Sequence, residues 1–215
     1  MRASMPPIEQ AFAQHWPEAL LVHLLDDALP SDLERAGAVD DAIVARFCAL
    51  TRYAVDAGAD AVLFTCSAFG RAIAAAAATV HVPVHAPNDA MLQAAASAGP
   101  RIALLATFAP TLTSMLPTLR ELLASRTEPP QVVGVHVEGA LAALQRGDVA
   151  AHDARIVAAA RAQPAGTVIA LAQFSMVRAA TAVASAVTGP VLTTPESAVR
   201  ALREQLTERT DATNR

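Results

Sequence analysis

Short runs of Val, Leu and Ile alternate along the chain with longer stretches whose apolar residues recur at helical spacing. That alternation is the pattern of parallel strands covered by helices. The runs predict strands at 20–25 (LLVHLL), 60–65 (DAVLFT), 83–86, 101–106 (RIALLA), 131–136 (QVVGVH), 167–172 (TVIALA) and 190–193. Between them the spacing predicts helices at about 7–15, 41–57, 69–78, 88–97, 110–125, 137–145, 149–162, 175–186 and 195–208. The closing stretch TERTDATNR has no apolar anchor and is expected to fray.

The pattern repeats. AVLFTCSAF (61–69) aligns with VIALAQFSM (168–176), which sets Cys66 opposite Gln173 at an offset of 107. The same offset brings VPVHAP (82–87) onto GPVLTT (189–194), with Pro83 opposite Pro190. Upstream, LVHLLDD around His23 matches VGVHVEG around His136 at an offset of 113, an indel of six residues. Three ordered blocks point to a duplicated α/β unit. Shifted back by 107, the strand RIALLATFAP (101–110) would fall at positions −6 to 3, so the first half is expected to lack its opening strand. The other reading of the N-terminus is a helical arm.

Composition narrows the class. With 215 residues, 53% of them hydrophobic, the chain can bury one large core or two small ones. Two cysteines, Cys48 and Cys66, make neither a disulfide framework nor a cysteine metal cluster, and a reducing cytoplasm is the expected compartment. A net charge of −4, with no Lys/Arg cluster, argues against nucleic acid. The mean hydropathy of +0.36 comes from alanine. The longest apolar stretch, AIAAAAATVHVPV, is broken by Thr79, His81 and Pro83, so no membrane span is expected.

Chemistry concentrates at VLFTCSAFGRA (62–72), where a strand ends on Cys66 and small residues open a helix. Ligands of open α/β sheets bind at the carboxyl ends of strands. A helix start beyond Cys66 would offer backbone N–H groups to a carboxylate and lower the thiol's pKa. The competing reading is a small apolar side chain in the core. A phosphatase loop needs five residues between Cys and Arg, and Cys66 and Arg71 enclose only SAFG. A Cys-His hydrolase would draw on His23, His81, His85 or His136, none of them in an identifying motif. Cys48 falls on the apolar face of a helix and is assigned to the core.

AGADAVLFTCSAF, RIALLATFAPTL and PVLTTPESAVRAL, in this order within a duplicated chain, resemble the aspartate/glutamate/hydantoin racemase superfamily from residue 6 to about 205. The resemblance implies an α/β fold of two pseudo-symmetric domains, each a parallel sheet of about four strands flanked by helices, with a cleft between them. The domains would be 1–97 plus 195–215, and 98–194. It also implies a small carboxylate or amino-acid-like substrate, no cofactor or metal, and a homodimer. Cys66 would be the catalytic acid/base, with Ser67, Ala68, Thr107, Thr111, Gln173, Phe174 and Ser175 around the substrate. Racemases of the superfamily use a thiol from each half, and here the second position is Gln173, which cannot carry a proton. Arylmalonate decarboxylases of the same superfamily use one thiol, but it resembles the second-half one. The readings left open are a one-thiol proton-transfer enzyme, a decarboxylase, and a binding protein that has lost catalysis.

Overall fold

The computed structural model describes residues 4–213, with the side chain of Ser67 and those beyond Arg209 outside the description. The positions to which the repeat assigns an opening strand, up to residue 3, also lie outside it. The chain divides into two compact units, Met1–Pro87 with Ala198–Arg215, and Asn88–Ser197.

The first unit contains α1 (Met5–His15), α2 (Leu29–Ala36), α3 (Asp41–Asp56), β1 (Val62–Leu63), a 3-10 turn (Ser67–Phe69), α4 (Gly70–Ala77) and β2 (Val84–His85). α3 starts where the Asp40 carboxylate accepts the Ile43 N–H at 2.8 Å, an N-cap that satisfies one of the open donors of the first turn. Ile43, Phe47, Cys48 and Thr51 then line one buried face of α3. Phe47 stacks on Phe64 and packs at a tilt against Phe69, and with Ala72, Ile73 and Ala76 of α4 they contribute to the unit's core. Arg46 of α3 binds Asp26 and Asp32, so the loop before α2 and α2 itself are tied to α3. The Arg46 hydrogen bond holds the Asp32 carboxyl below its usual pKa.

The second unit contains α5 (Asp89–Ala98), β3 (Arg101–Ala106), α6 (Ala109–Leu123), β4 (Gln131–His136), α7 (Ala140–Gln145), α8 (Val149–Arg161), β5 (Val168–Leu171), a 3-10 turn (Phe174–Ala179), α9 (Ala180–Ala184), β6 (Val191–Thr193) and the first turn of α10 (Thr194–Thr213). Its strands form one parallel sheet in the order β4-β3-β5-β6. The continuous apolar runs of β3 and β5 follow from burial on both faces. Ile102, Leu104 and Ala106 pack with α5 and α6, whereas Ala103 and Leu105 pack with residues of α7 and α8 on the other side.

The duplication is visible in the ladders. Val62 pairs with Val84 and Leu63 with His85, while Ile169 pairs with Val191 and Ala170 with Leu192, the same register displaced by 107. Pro83 O accepts from Val62 N, and Pro190 O accepts from Ile169 N.

Several expectations are corrected. Among the described residues the first unit's sheet has two strands, where about four, less a missing opening strand, were expected. Residues 20–25 form no strand, and Leu20, Val22 and Leu24 are exposed at 93, 75 and 49%. An extended run becomes a strand only when a neighbour pairs its N–H and C=O groups, and the neighbour that the repeat supplies, the counterpart of β3, is not among the described residues. α5 buries Met91, Leu92, Ala95 and Ala96 against β3 and β5, which places it in the second unit and moves the division from near 97 to Pro87. The helix expected at 175–186 is a 3-10 turn followed by a short α9. α2 was not expected at all. The tail remains helical to Thr213, with Arg209 donating to His81 O at 3.1 Å.

Candidate functional site

In the first unit the backbone runs extended through Cys66 (φ −134°, ψ 122°) and then turns into the 3-10 segment Ser67–Phe69. Cys66 is half-buried against the core that Phe47, Phe64 and Phe69 form with α3 and α4. Burial pushes its thiol pKa up, and the Ala68 N–H, which hydrogen-bonds to the sulfur, opposes that rise without cancelling it. This corrects the expectation of a lowered pKa. The first turn after the cysteine is 3-10 and α4 begins only at Gly70, so the thiol does not sit at the mouth of an α-helix. The shift favours the neutral thiol over the thiolate. The role expected of the Ser67 hydroxyl lies outside the described residues. Ala68 contributes its N–H.

In the second unit the counterpart Gln173 has the same extended backbone (φ −139°, ψ 144°) and is likewise followed by a 3-10 turn. Its Oε1 accepts from Thr107 N at 2.6 Å, from the Thr107 hydroxyl at 2.9 Å and from Phe108 N at 3.2 Å. Thr107 and Gln173 follow β3 and β5, the neighbouring strands at which the winding of the sheet reverses. The carboxyl ends at such a switch point are where open α/β sheets bind ligands. An open hollow of about 370 Å³ lies on the β4 side of β3, at the ends of β3 and β4, and Thr107, Phe108, Pro110, His136, Leu141 and Gln145 are among its lining residues.

The remaining expected residues divide by burial. Thr111 and Phe174 are buried at 1 and 5% exposure, and Ser175 is half-buried in the 3-10 turn. Thr194, in the PVLTT segment, is fully buried, and its hydroxyl lies within reach of Leu171 O and Asn88 Oδ1, a structural role. His23 is occupied by Glu9 at 3.0 Å, whereas His136 is exposed at the end of β4 and faces the hollow. Sequence reasoning missed Phe108, because a backbone N–H leaves no mark in the choice of residue. Gln145 and Leu141, which line the hollow, follow the left-handed Gly139 (φ 72°) before α7. Among the described residues, no three His, Cys, Asp or Glu side chains are placed to hold a metal ion, and no helix is long and apolar enough to cross a membrane.

No protein-family model and no curated protein matches the chain. Solved structures do. Glutamate racemase from Francisella tularensis, in complex with D-glutamate, superposes with a TM-score of 0.67 over 97% of this chain and 78% of its own, at 12% identity. Allantoin racemase from Pseudomonas fluorescens superposes with a TM-score of 0.65 over 96% of this chain and 86% of its own, at 19% identity. The chain has the fold of these racemases. Arylmalonate decarboxylase is similar at a TM-score of 0.53, over 76% of each chain and at 17% identity. Within this fold, Cys66 and Gln173 are the strand ends related by the internal repeat, one bearing a thiol and the other a carboxamide.

Proposed function

We propose that the protein is a cofactor-independent enzyme that delivers one proton, from one side, to the carbon alpha to a carboxylate, with Cys66 as the proton donor. The observation behind this reading is the unlike pair at register-equivalent strand ends: a thiol at 66 and, at 173, an amide that can neither give nor take a proton near neutral pH. Racemisation needs an acid on one face of the carbon and a base on the other. One thiol suffices to quench a planar enolate.

The upward push of burial on the Cys66 pKa favours the decarboxylative form of this chemistry over abstraction of a proton, which would require a thiolate at the start. In that form the bond from the α-carbon to one carboxylate breaks and carbon dioxide leaves. The electron pair spreads over the α-carbon and the remaining carboxyl group as an enolate. The Cys66 S–H then gives its proton to carbon, and the resulting thiolate is reprotonated by water. The substrates that the names of the similar structures mention, glutamate, allantoin and arylmalonate, share an acidic carbon beside a carbonyl, and we infer a substrate of that class.

The test is to incubate the purified protein in deuterated water with phenylmalonate, each enantiomer of glutamate, and allantoin, following carbon dioxide release and deuterium at the α-carbon. Decarboxylation of the malonate with one deuterium incorporated is expected. Complete retention of every compound without exchange would overturn the enzymatic reading in favour of a small-carboxylate binder.

A further inference from the structure

The second unit has a further cavity, of about 250 Å³, at the amino ends of its strands. Arg101 of β3 pairs there with Gln131 of β4, and Thr167, just before β5, lies level with them, since the next rung pairs Ile102 with Val168. Side chains level with one another on neighbouring strands share a face of the sheet. Here it is the face of Ala103, Leu105, Ile169 and Leu171, which packs on α8. Arg101, Gln131 and Thr167 all line the cavity, with Gln163 and Pro164 from the loop beyond α8. Two of these groups have unmet capacity. The Arg101 guanidinium is held over the loop by one bond, from Nη2 to Ala165 O at 3.0 Å, and among the described residues no carboxylate pairs with it. Thr167 is 3% exposed, and its hydroxyl has no hydrogen-bond partner. A buried polar group left unpaired is costly, so each one in a folded protein calls for a reason. One step about χ1 exchanges a threonine's hydroxyl with its methyl group, so this hydroxyl can meet a ligand without movement of the backbone.

We propose that this cavity is a binding site for a small organic carboxylate, with the Arg101 guanidinium paired to the carboxylate and the Thr167 hydroxyl donating to one of its oxygens. A guanidinium fork matches a carboxylate in two parallel hydrogen bonds. The rest of the wall, from Ile102, Val132, Val133 and Pro164, is apolar and suits an acid with an apolar body better than an inorganic anion. The volume lies below the range of about 300–1,000 Å³ that takes drug-sized ligands, which limits the occupant to a small acid. The site is separate from the strand ends described above. From Arg101 to Thr107, β3 runs about 20 Å, so one small acid does not reach both. The proposal therefore stands independently of the proton-transfer reading. Its ligand would join β3, β4 and the loop before β5, and would stabilise the folded chain by mass action.

The probe is benzoate, added to the full chain at constant ionic strength and followed in amide NMR spectra, with neutral benzamide as the matched control. The amides of Arg101, Gln131 and Thr167 are expected to shift saturably with benzoate and not with benzamide. Arg101→Met keeps most of the side chain's stem and removes the fork, and should weaken benzoate about tenfold or more. Arg101→Lys keeps the charge without the fork and should weaken it by a smaller factor. Thr167→Val replaces the unpartnered hydroxyl with a methyl group of the same shape. Its urea midpoint without ligand should equal or exceed that of the wild type, while benzoate binds about fivefold more weakly. Circular dichroism verifies that each variant folds, and if Arg101→Met does not, Arg101→Lys and Thr167→Val carry the test. Shifts confined to Thr107, Phe108 and His136 would put benzoate at the other end of the strands and overturn the proposal. Equal binding of benzamide, no saturable shift, or wild-type affinity in a folded Arg101 variant would overturn it as well. A Thr167→Val protein with a lowered midpoint and unchanged affinity would show a hydroxyl that serves the fold through a bound water, and would remove Thr167 from the site.

Discussion

Replacing Cys66 with serine is expected to lower turnover of phenylmalonate by about 10³-fold, within the span that a positioned general acid contributes. The substitution keeps a small side chain against Phe64 and Phe69 and leaves the Ala68 N–H with an acceptor, so the core of the first unit should survive it. What changes is acidity: a serine hydroxyl is a far weaker proton donor than a thiol. Cys66→Ala should be at least as slow. The pH profile follows from the direction of the thiol's shift. Burial raises the pKa, so the protonated, donating form is fully present at neutral and acid pH and is lost as pH rises through the raised value. The wild-type rate should therefore fall on the alkaline side, with a midpoint above that of an unperturbed thiol. A rate that rises with pH through that range would mean that the thiolate is the working species. Cys48, buried in α3, serves as the control, and Cys48→Ala should retain the activity.

The second large effect concerns the scaffold. A Cβ at Gly189 would lie 1.9 Å from Thr167 O and 2.6 Å from Thr167 C, both main-chain atoms. Gly189 immediately precedes Pro190, whose carbonyl accepts the Ile169 N–H at 2.8 Å, so relieving the clash must pull apart the start of the β5–β6 ladder. Gly189→Ala is expected to destabilise the protein by about 3 kcal/mol or more, among the largest effects of a single methyl group. A shift of the urea midpoint measures it. An unchanged midpoint would show that the loop before β6 gives way freely. The repeat sharpens the point, because the equivalent position in the first unit is Val82, where a branched side chain is accommodated.

Much of the second unit was legible in the sequence. RIALLA, QVVGVH, VIAL and VLT are short apolar runs whose pairing is internal to the chain, and all four form strands. The offset that joined Cys66 to Gln173 reappears as identical register in the two short ladders, since a duplicated backbone keeps its pairing even where side chains diverge. LLVHLL failed for the converse reason: its apolar content was read correctly, but a strand also needs a partner, and apolar content cannot supply one. α2 was missed because its eight residues form barely two turns, beginning at a proline-containing first turn, and its hold on the fold comes from Leu29 and Leu33 against the core and from Asp32 bound to Arg46 fourteen positions away.

The site was half legible. The identity of Gln173 followed from the repeat, but the fixing of its amide depends on two backbone donors that no residue type announces. The direction of the Cys66 shift was misread because local sequence suggested a helix start, whereas the aromatic cluster that desolvates the thiol is assembled from α3 and from residues beyond the cysteine.

The configuration of the product tests the one-sided mechanism most directly. Phenylmalonate decarboxylated in deuterated water yields a phenylacetate whose α-carbon bears hydrogen and deuterium and is therefore chiral. Delivery by Cys66 alone predicts a single enantiomer. A product containing both in equal amounts, formed at the enzymatic rate, would show that protons reach the carbon from both sides and would contradict the account.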